Sequence, residues 1–266
     1  MSGIFKPQLP KLDLSNSITS GLLFDLPLYE GTGTTVTDLR TSASGVFRGT
    51  PTWVQTLKGH GIDFDSNTEG IDFTAIDSSG YNAGNLYSVE LMGTRDTGGS
   101  GTSYGALAFK KNATTDTGGR VWNFENDNGD VGWGVAFQFW FSTQVGIWSI
   151  PYPTAGELFH WIVTFNAGAT TNDPIWYVNG SSVSITERLA PTGTARADGA
   201  YLYLGNNSPG FTSGWDGKLL YIRYWNRILT ATEAGLLYQN PWRIYVQPNL
   251  VNRSLRPAIF SPGVAR

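Results

Sequence analysis

The chain has 266 residues, 33 of them glycine, with 14% aromatic and 15% charged residues, no cysteine and a formal net charge of −3. That length suits one large β-domain with a substantial core, and glycine with aromatics over charge favours strands and tight turns over helices. The acidic balance gives no reason to expect a nucleic-acid partner, and the missing cysteines exclude disulfides, thiolate metal sites and thiol nucleophiles.

Residues 1–20 read as an N-terminal extended arm. They carry neither the apolar core nor the cleavage signature of a secretory signal, so action outside a cell would imply lysis or a dedicated secretion system. No run of about 18 apolar residues follows, so no membrane span is expected. Pro7 and Pro10 keep this backbone extended, while Ile4, Phe5, Leu9, Leu12 and Leu14 are too apolar for a solvated linker. Two readings stand: a disordered leader, or an arm docked on its own domain or a neighbouring subunit.

The domain proper spans 21–242. Segments 86–92, 105–109, 120–124, 132–141, 146–150, 159–165, 175–178, 182–186 and 200–205 then read as β, each bounded by Gly, Asn, Asp, Ser or Pro. Asn179-Gly180 signals a type I′ hairpin, since both positions need positive φ. Phe137, Phe139 and Phe141 continue an alternation from Trp133, with Ala136 and Trp140 on the opposite face, as in a central strand covered on both sides or a sheet with a sugar or protein partner. The stretch 214–242 carries a turn, a dense apolar strand, a capping box at Thr230-Ala-Thr-Glu233 and a stop at Pro241. Residues 243–266 form a C-terminal arm; from Pro241 onward there are four arginines and no acid.

Several motifs resemble the LamG-like, concanavalin A-like jelly-roll domains, in the family's order over residues 20–242. The aromatic-rich segment from Gly21, with Glu30, Gly31, Gly33 and Asp38, resembles its first strand and turn, and Gly59–Asp65 resembles its Phe-Asp strand, which in the family follows a variable loop, here ending near Trp53. Phe159–Phe165 and Trp176–Gly180 resemble its central strand and Tyr-Val-Asn-Gly hairpin. Trp225–Thr230 and Leu237–Pro241 resemble its closing segment. The resemblance implies an all-β jelly-roll sandwich of two antiparallel sheets with one short C-terminal helix. Where relatives carry an acidic pair in the last strand, this chain has Leu220 and Tyr221, which makes that strand a candidate partner contact.

For chemistry, Glu125-Asn-Asp127-Asn-Gly-Asp130 looks like a cousin of the paired carboxylates of jelly-roll glucanases. Its polar intervening residues and Asn128-Gly129 turn give instead a solvated loop. No catalytic residue and no required cofactor are therefore expected. A structural calcium is a candidate, with Glu30, Asp38 and Asp216 as ligands where the termini converge. His60 and His160 have no third ligand spaced near them, which argues against zinc or a histidine triad. Trp215, Tyr104, Trp148 and Tyr152 sit at turn or loop edges where a sugar ring could stack, ordinary packing being the alternative.

These features point first to a non-catalytic structural virion protein, a capsid-decoration or fibre-type subunit. Its expected partners are other virion or capsid subunits, further copies of itself and surface glycans. The alternative is a bacterial extracellular or cell-surface carbohydrate-binding or adhesion module; a glycoside hydrolase is the reading least supported. Jelly rolls serve all three, so fold alone does not decide.

Overall fold

The computed structural model describes residues 6–65, 68–73, 85–96, 106–111, 120–127, 134–196, 201–206 and 214–246. Among these the strands are, in chain order, β1 (Leu22–Leu26), β2 (Thr35–Thr37), β3 (Ser44–Arg48), β4 (Thr52–Thr56), β5 (Gly59–Phe64) and β6 (Gly70–Phe73). There follow β7 (Leu86–Gly93), β8 (Ala106–Lys111), β9 (Arg120–Asp127), β10 (Gly134–Phe139), β11 (Gly146–Ile150) and β12 (Phe159–Asn166). The last are β13 (Ile175–Val178), β14 (Ser181–Val183), β15 (Thr186–Leu189), β16 (Tyr201–Leu204) and β17 (Gly217–Trp225), before helix α1 (Ala231–Gln239).

They form the expected all-β jelly-roll sandwich of two antiparallel sheets with one short C-terminal helix. One sheet has eight strands, ordered β14-β13-β12-β7-β17-β5-β4 with β1 also on β17; the other has nine, ordered β15-β11-β10-β9-β8-β16-β6-β3-β2. β17 is the spine of the first. One of its edges pairs with β7, while the other pairs with β5 through Gly217–Leu219 and with β1 through Ile222–Trp225. Its near-continuous apolar run fits this place, because the strand is covered on both faces. The segment ending near Trp53, expected as a variable loop, instead supplies β3 to one sheet and the start of β4 to the other. Both are short and only partly buried, so neither shows a clear apolar alternation.

Between the sheets lies an aromatic core. Phe165 packs against Phe139 and Trp148, each at 5.1 Å, in the tilted and edge-on geometries that aromatic pairs favour. A second apolar layer covers the outer face of the eight-stranded sheet, where Leu237 of α1, Trp242 and Tyr245 close over Met92, Ile162 and Tyr221. The capping box that starts α1 is complete: Thr230 accepts from Glu233 N, and Glu233 accepts from Thr230 N. A helix of this length is marginal alone and holds through that cap and its burial of Ala234 and Leu237.

The described parts of both terminal segments lie on this same layer. Asp13 N donates to Ile244 O and Val246 N to Lys11 O, both at 2.8 Å, and Trp225 Nε1 donates to Ile18 O at 2.8 Å. The Lys6 ammonium reaches the carbonyls of Leu28, His60 and Leu220. Residues 6–20 thus dock on their own domain.

Candidate functional site

The nine-stranded sheet has two unlike faces. Phe124, Phe137 and Trp148 share one register position on β9, β10 and β11 and point into the core. Their neighbours face outward by the alternation of a strand. Asn123 and Gln138 are direct partners, as are Glu125 and Ala136, and Ala136 and Ser149. Asn123 Nδ2 donates to Glu125 Oε2 at 2.7 Å, Gln138 Nε2 donates to Glu125 Oε1, and Arg188 Nε donates to Ser149 Oγ at 2.8 Å. All but Arg188 are buried.

The same face continues across Tyr203 of β16 to Asp72 of β6 and Val46 of β3, which are consecutive partners. Arg48 and Asp72 approach to 3.4 Å, an ion pair rather than a close hydrogen bond. Burial lowers the pKa of Arg48 and raises that of Asp72, each group's charge partly offsetting the other's desolvation. Asn123 Oδ1, Arg48 Nη1 and Nη2, and Asp72 Oδ1 are buried without a hydrogen-bond partner. Buried polar atoms are normally paired, so this sheet face holds unspent donors and acceptors on a rigid frame. Polyhydroxylated ligands carry the complementary groups.

Sequence reading missed this face. Glu125 was expected in a solvated turn, yet it lies in β9 and is only 7% exposed. The signal was Trp122-Asn123-Phe124-Glu125, whose strict alternation marks one apolar and one polar face. Asp130 and Trp133 lie outside the described residues.

The expected site residues fall elsewhere. Leu220 and Tyr221, expected at a partner contact, are fully buried beneath the C-terminal segment, with the Tyr221 and Trp242 rings 5.2 Å apart. Trp215 and Trp148 are buried too, donating to Thr94 O at 3.0 Å and Asp173 Oδ1 at 2.7 Å, so neither offers a ring to a sugar. Tyr152 is exposed, and Arg95 stacks on it at 4.5 Å. Tyr104 lies outside the described residues.

Glu30, Asp38 and Asp216 do not form a cation cage. Asp38 is buried and accepts from the backbone of Asp25, Arg40 and Thr41 and from the Thr41 hydroxyl, which makes it the organiser of a turn. Glu30 accepts from Thr37 N at 2.8 Å, with burial raising its pKa. Asp216 is raised by burial and by Asp96, Asp63 and Asp65, while Lys218 bridges Asp96 and Asp63. Among the described residues no group of three or more His, Cys, Asp or Glu side chains could hold a metal ion.

A buried charged rung crosses the other sheet. Asp25, Arg223 and Glu90 are consecutive partners on β1, β17 and β7. Arg223 donates to Asp25 Oδ1 at 2.9 Å and to Glu90 Oε2 at 3.0 Å, while Tyr221 donates to Glu90 Oε1 and Tyr245 to Asp25 Oδ1. Desolvation works to raise Glu90, but Arg223, His160 and Tyr221 outweigh it and hold its pKa below the usual value. Asp25 is pushed up to about 6, burial there outweighing Arg223.

No protein-family model and no curated protein matches the chain. Among solved structures it is similar to a Trypanosoma rangeli sialidase (TM-score 0.61, 14% identity), covering 86% of this chain and 34% of that one. It is also similar to the receptor-binding domain of a botulinum neurotoxin C/D mosaic serotype (TM-score 0.63, 11% identity, 83% and 51% of the two chains). Domain 4 of an extracellular GH43 arabinanase from Geobacillus stearothermophilus, solved with arabinotriose, gives 0.55 and 16% over 82% of this chain and 98% of that one. The chain thus spans about a third of the length of the sialidase. At these identities the likeness is one of fold alone: a jelly-roll β-sandwich.

Proposed function

We propose that this chain is a non-catalytic glycan-binding module acting outside a cell or at its surface, with its ligand on the outer face of the nine-stranded sheet. The observation that carries this reading is the row of polar groups from the buried Gln138 and Asn123 to the partly buried Asp72 and Arg48, with buried atoms of Asn123, Asp72 and Arg48 that have no hydrogen-bond partner. Ligand sites need a few convergent polar groups held on a rigid frame, and this sheet face supplies them. Support from the comparisons is weaker and of a different kind. One fold relative was solved with an arabino-oligosaccharide and another is a receptor-binding domain, while a shared fold does not fix function.

The absence of catalysis is part of the proposal. Glu125 is held by the amides of Asn123 and Gln138, which suits a fixed acceptor for a hydroxyl better than an acid that must gain and lose a proton. Docking of residues 6–20 on the chain's own sheet favours a self-contained module over a virion subunit that lends this arm to a neighbour.

The test is a glycan array followed by calorimetry with arabino-, gluco- and sialyl-oligosaccharides. Gln138→Ala and Arg48→Ala should each weaken binding about tenfold or more, as expected for loss of one or two buried hydrogen bonds. Retention of no glycan, or unchanged affinity in both variants, would sink the proposal. Release of reducing sugar that disappears in Glu125→Gln would overturn its non-catalytic part.

A further inference from the structure

We propose that a pocket formed where α1 meets the outer face of the eight-stranded sheet binds a single polyhydroxylated ring. It has a volume of about 280 Å³, and its lining includes Lys58, Met92, Phe159, His160, Asn179 and Tyr238. That is near the lower end for ligand pockets and suits a monosaccharide better than an oligosaccharide. It belongs to the other sheet from the polar face described above, so the two sites stand or fall separately.

The hairpin beside it is built to hold its shape. Asn179 and Gly180 both adopt positive φ, at 51° and 82°. A Cβ on Gly180 would come within 2.9 Å of Tyr238 Cβ, so only glycine lets the hairpin pass beneath that ring. Asn179 Oδ1 accepts from His160 N at 3.0 Å, which ties the hairpin to β12 and leaves the donors on Nδ2.

His160 supplies the recognition. Its side chain is 1% exposed, with Nε2 2.8 Å from Glu90 Oε1. Arg223 and Tyr221 hold Glu90 as a carboxylate, so Nε2 must carry the proton and donate. In the neutral ring Nδ1 is then an acceptor, facing away from Glu90, and it has no hydrogen-bond partner in the protein. A ligand hydroxyl satisfies it. Tyr238 is 45% exposed with its ring 5.8 Å from the imidazole, and it offers a flat apolar surface to the C–H face of the same sugar. A fixed acceptor, an amide donor and an aromatic plane around one ring-sized space are the elements of sugar recognition.

The chain has only two histidines, which makes the test direct. The full-length protein with ¹⁵N-labelled imidazoles is titrated separately with methyl glucoside, methyl galactoside, methyl N-acetylglucosaminide and arabinose. The expected result is a saturable shift of His160 Nδ1 with at least one sugar while His60 stays still. Tyr238→Ala, at an exposed helix position, should weaken that binding about tenfold, and Gln138→Ala on the other sheet should leave it unchanged. The proposal is overturned if no sugar moves His160, if His60 moves instead, or if Tyr238→Ala binds as tightly as the parent. It also fails if Nδ1 reports a hydrogen bond to water only, indifferent to every sugar.

Discussion

Arg223 and Glu90 face each other across β17 and β7, joined at 3.0 Å, and neither side chain has any exposure to solvent. Asp25 completes the rung from the other edge of β17. Taking three charges out of water costs several kcal/mol per ion, offset only because the hydrogen bonds are nearly all made. Glu90→Gln should therefore lower stability by about 3–5 kcal/mol, since it leaves Arg223 undercompensated in an apolar layer. Urea unfolding monitored by tryptophan fluorescence reads this, and a midpoint equal to the parent's would show the rung to be dispensable.

Lys6 gives a pH dependence with a definite sign. Burial, then the Arg223 charge, pull it from an ordinary 10.5 to about 7, against the carboxylates of Glu30 and Asp25. Between those values the unfolded chain holds the proton and the folded chain has shed it. Stability therefore rises with pH across that interval, and this contribution is lost as pH falls through about 7. Asp25 acts in a lower window, its contribution being lost as pH rises from 3.8 through about 6. Urea midpoints at neutral and at moderately alkaline pH should climb in the parent and stay level in Lys6→Met.

Removal of residues 1–20 should weaken the domain rather than trim it. Loss of Ile18 exposes apolar surface, and the buried indole N–H of Trp225 loses its acceptor. Together these predict a cost of about 3 kcal/mol or more. A truncated chain that melts at the parent's temperature would contradict the docking seen here.

The helix cap is separable from its ion pair. Thr230→Ala should cost about 1 kcal/mol through loss of the cap. Glu233→Ala should cost more, because Glu233 also receives the Arg227 fork at 2.6 and 2.9 Å. Thermal unfolding of the two variants orders them, and the reverse order would show that the Arg227 pair contributes nothing.

Asp38 should matter without a metal. Its oxygens are engaged by three backbone N–H groups and a hydroxyl, so Asp38→Ala is expected to cost about 2 kcal/mol. Chelation of calcium should leave the parent's melting temperature unchanged. A fall on adding chelator would return a cation to this turn.

By itself the sequence determined what local chemistry can specify. The aromatic and aliphatic run at 159–165 marked a strand, Asn179-Gly180 a hairpin turn, and Thr230 with Glu233 a capped helix, because each depends on residues close in the chain. The order of motifs added the jelly roll. Only the tertiary structure decided which groups meet. Asp25, Glu90 and Arg223 are far apart in sequence, and a lone charge inside an apolar run carries no sign of its partners until strands are placed in register. Nothing local to Leu220 and Tyr221 shows that Ile18, Trp242 and Tyr245, from the two terminal segments, return to cover them. For Glu125 the alternation Trp122-Asn123-Phe124-Glu125 already marked a strand, but its burial is set by the neighbouring strands, which only the assembled sheet fixes.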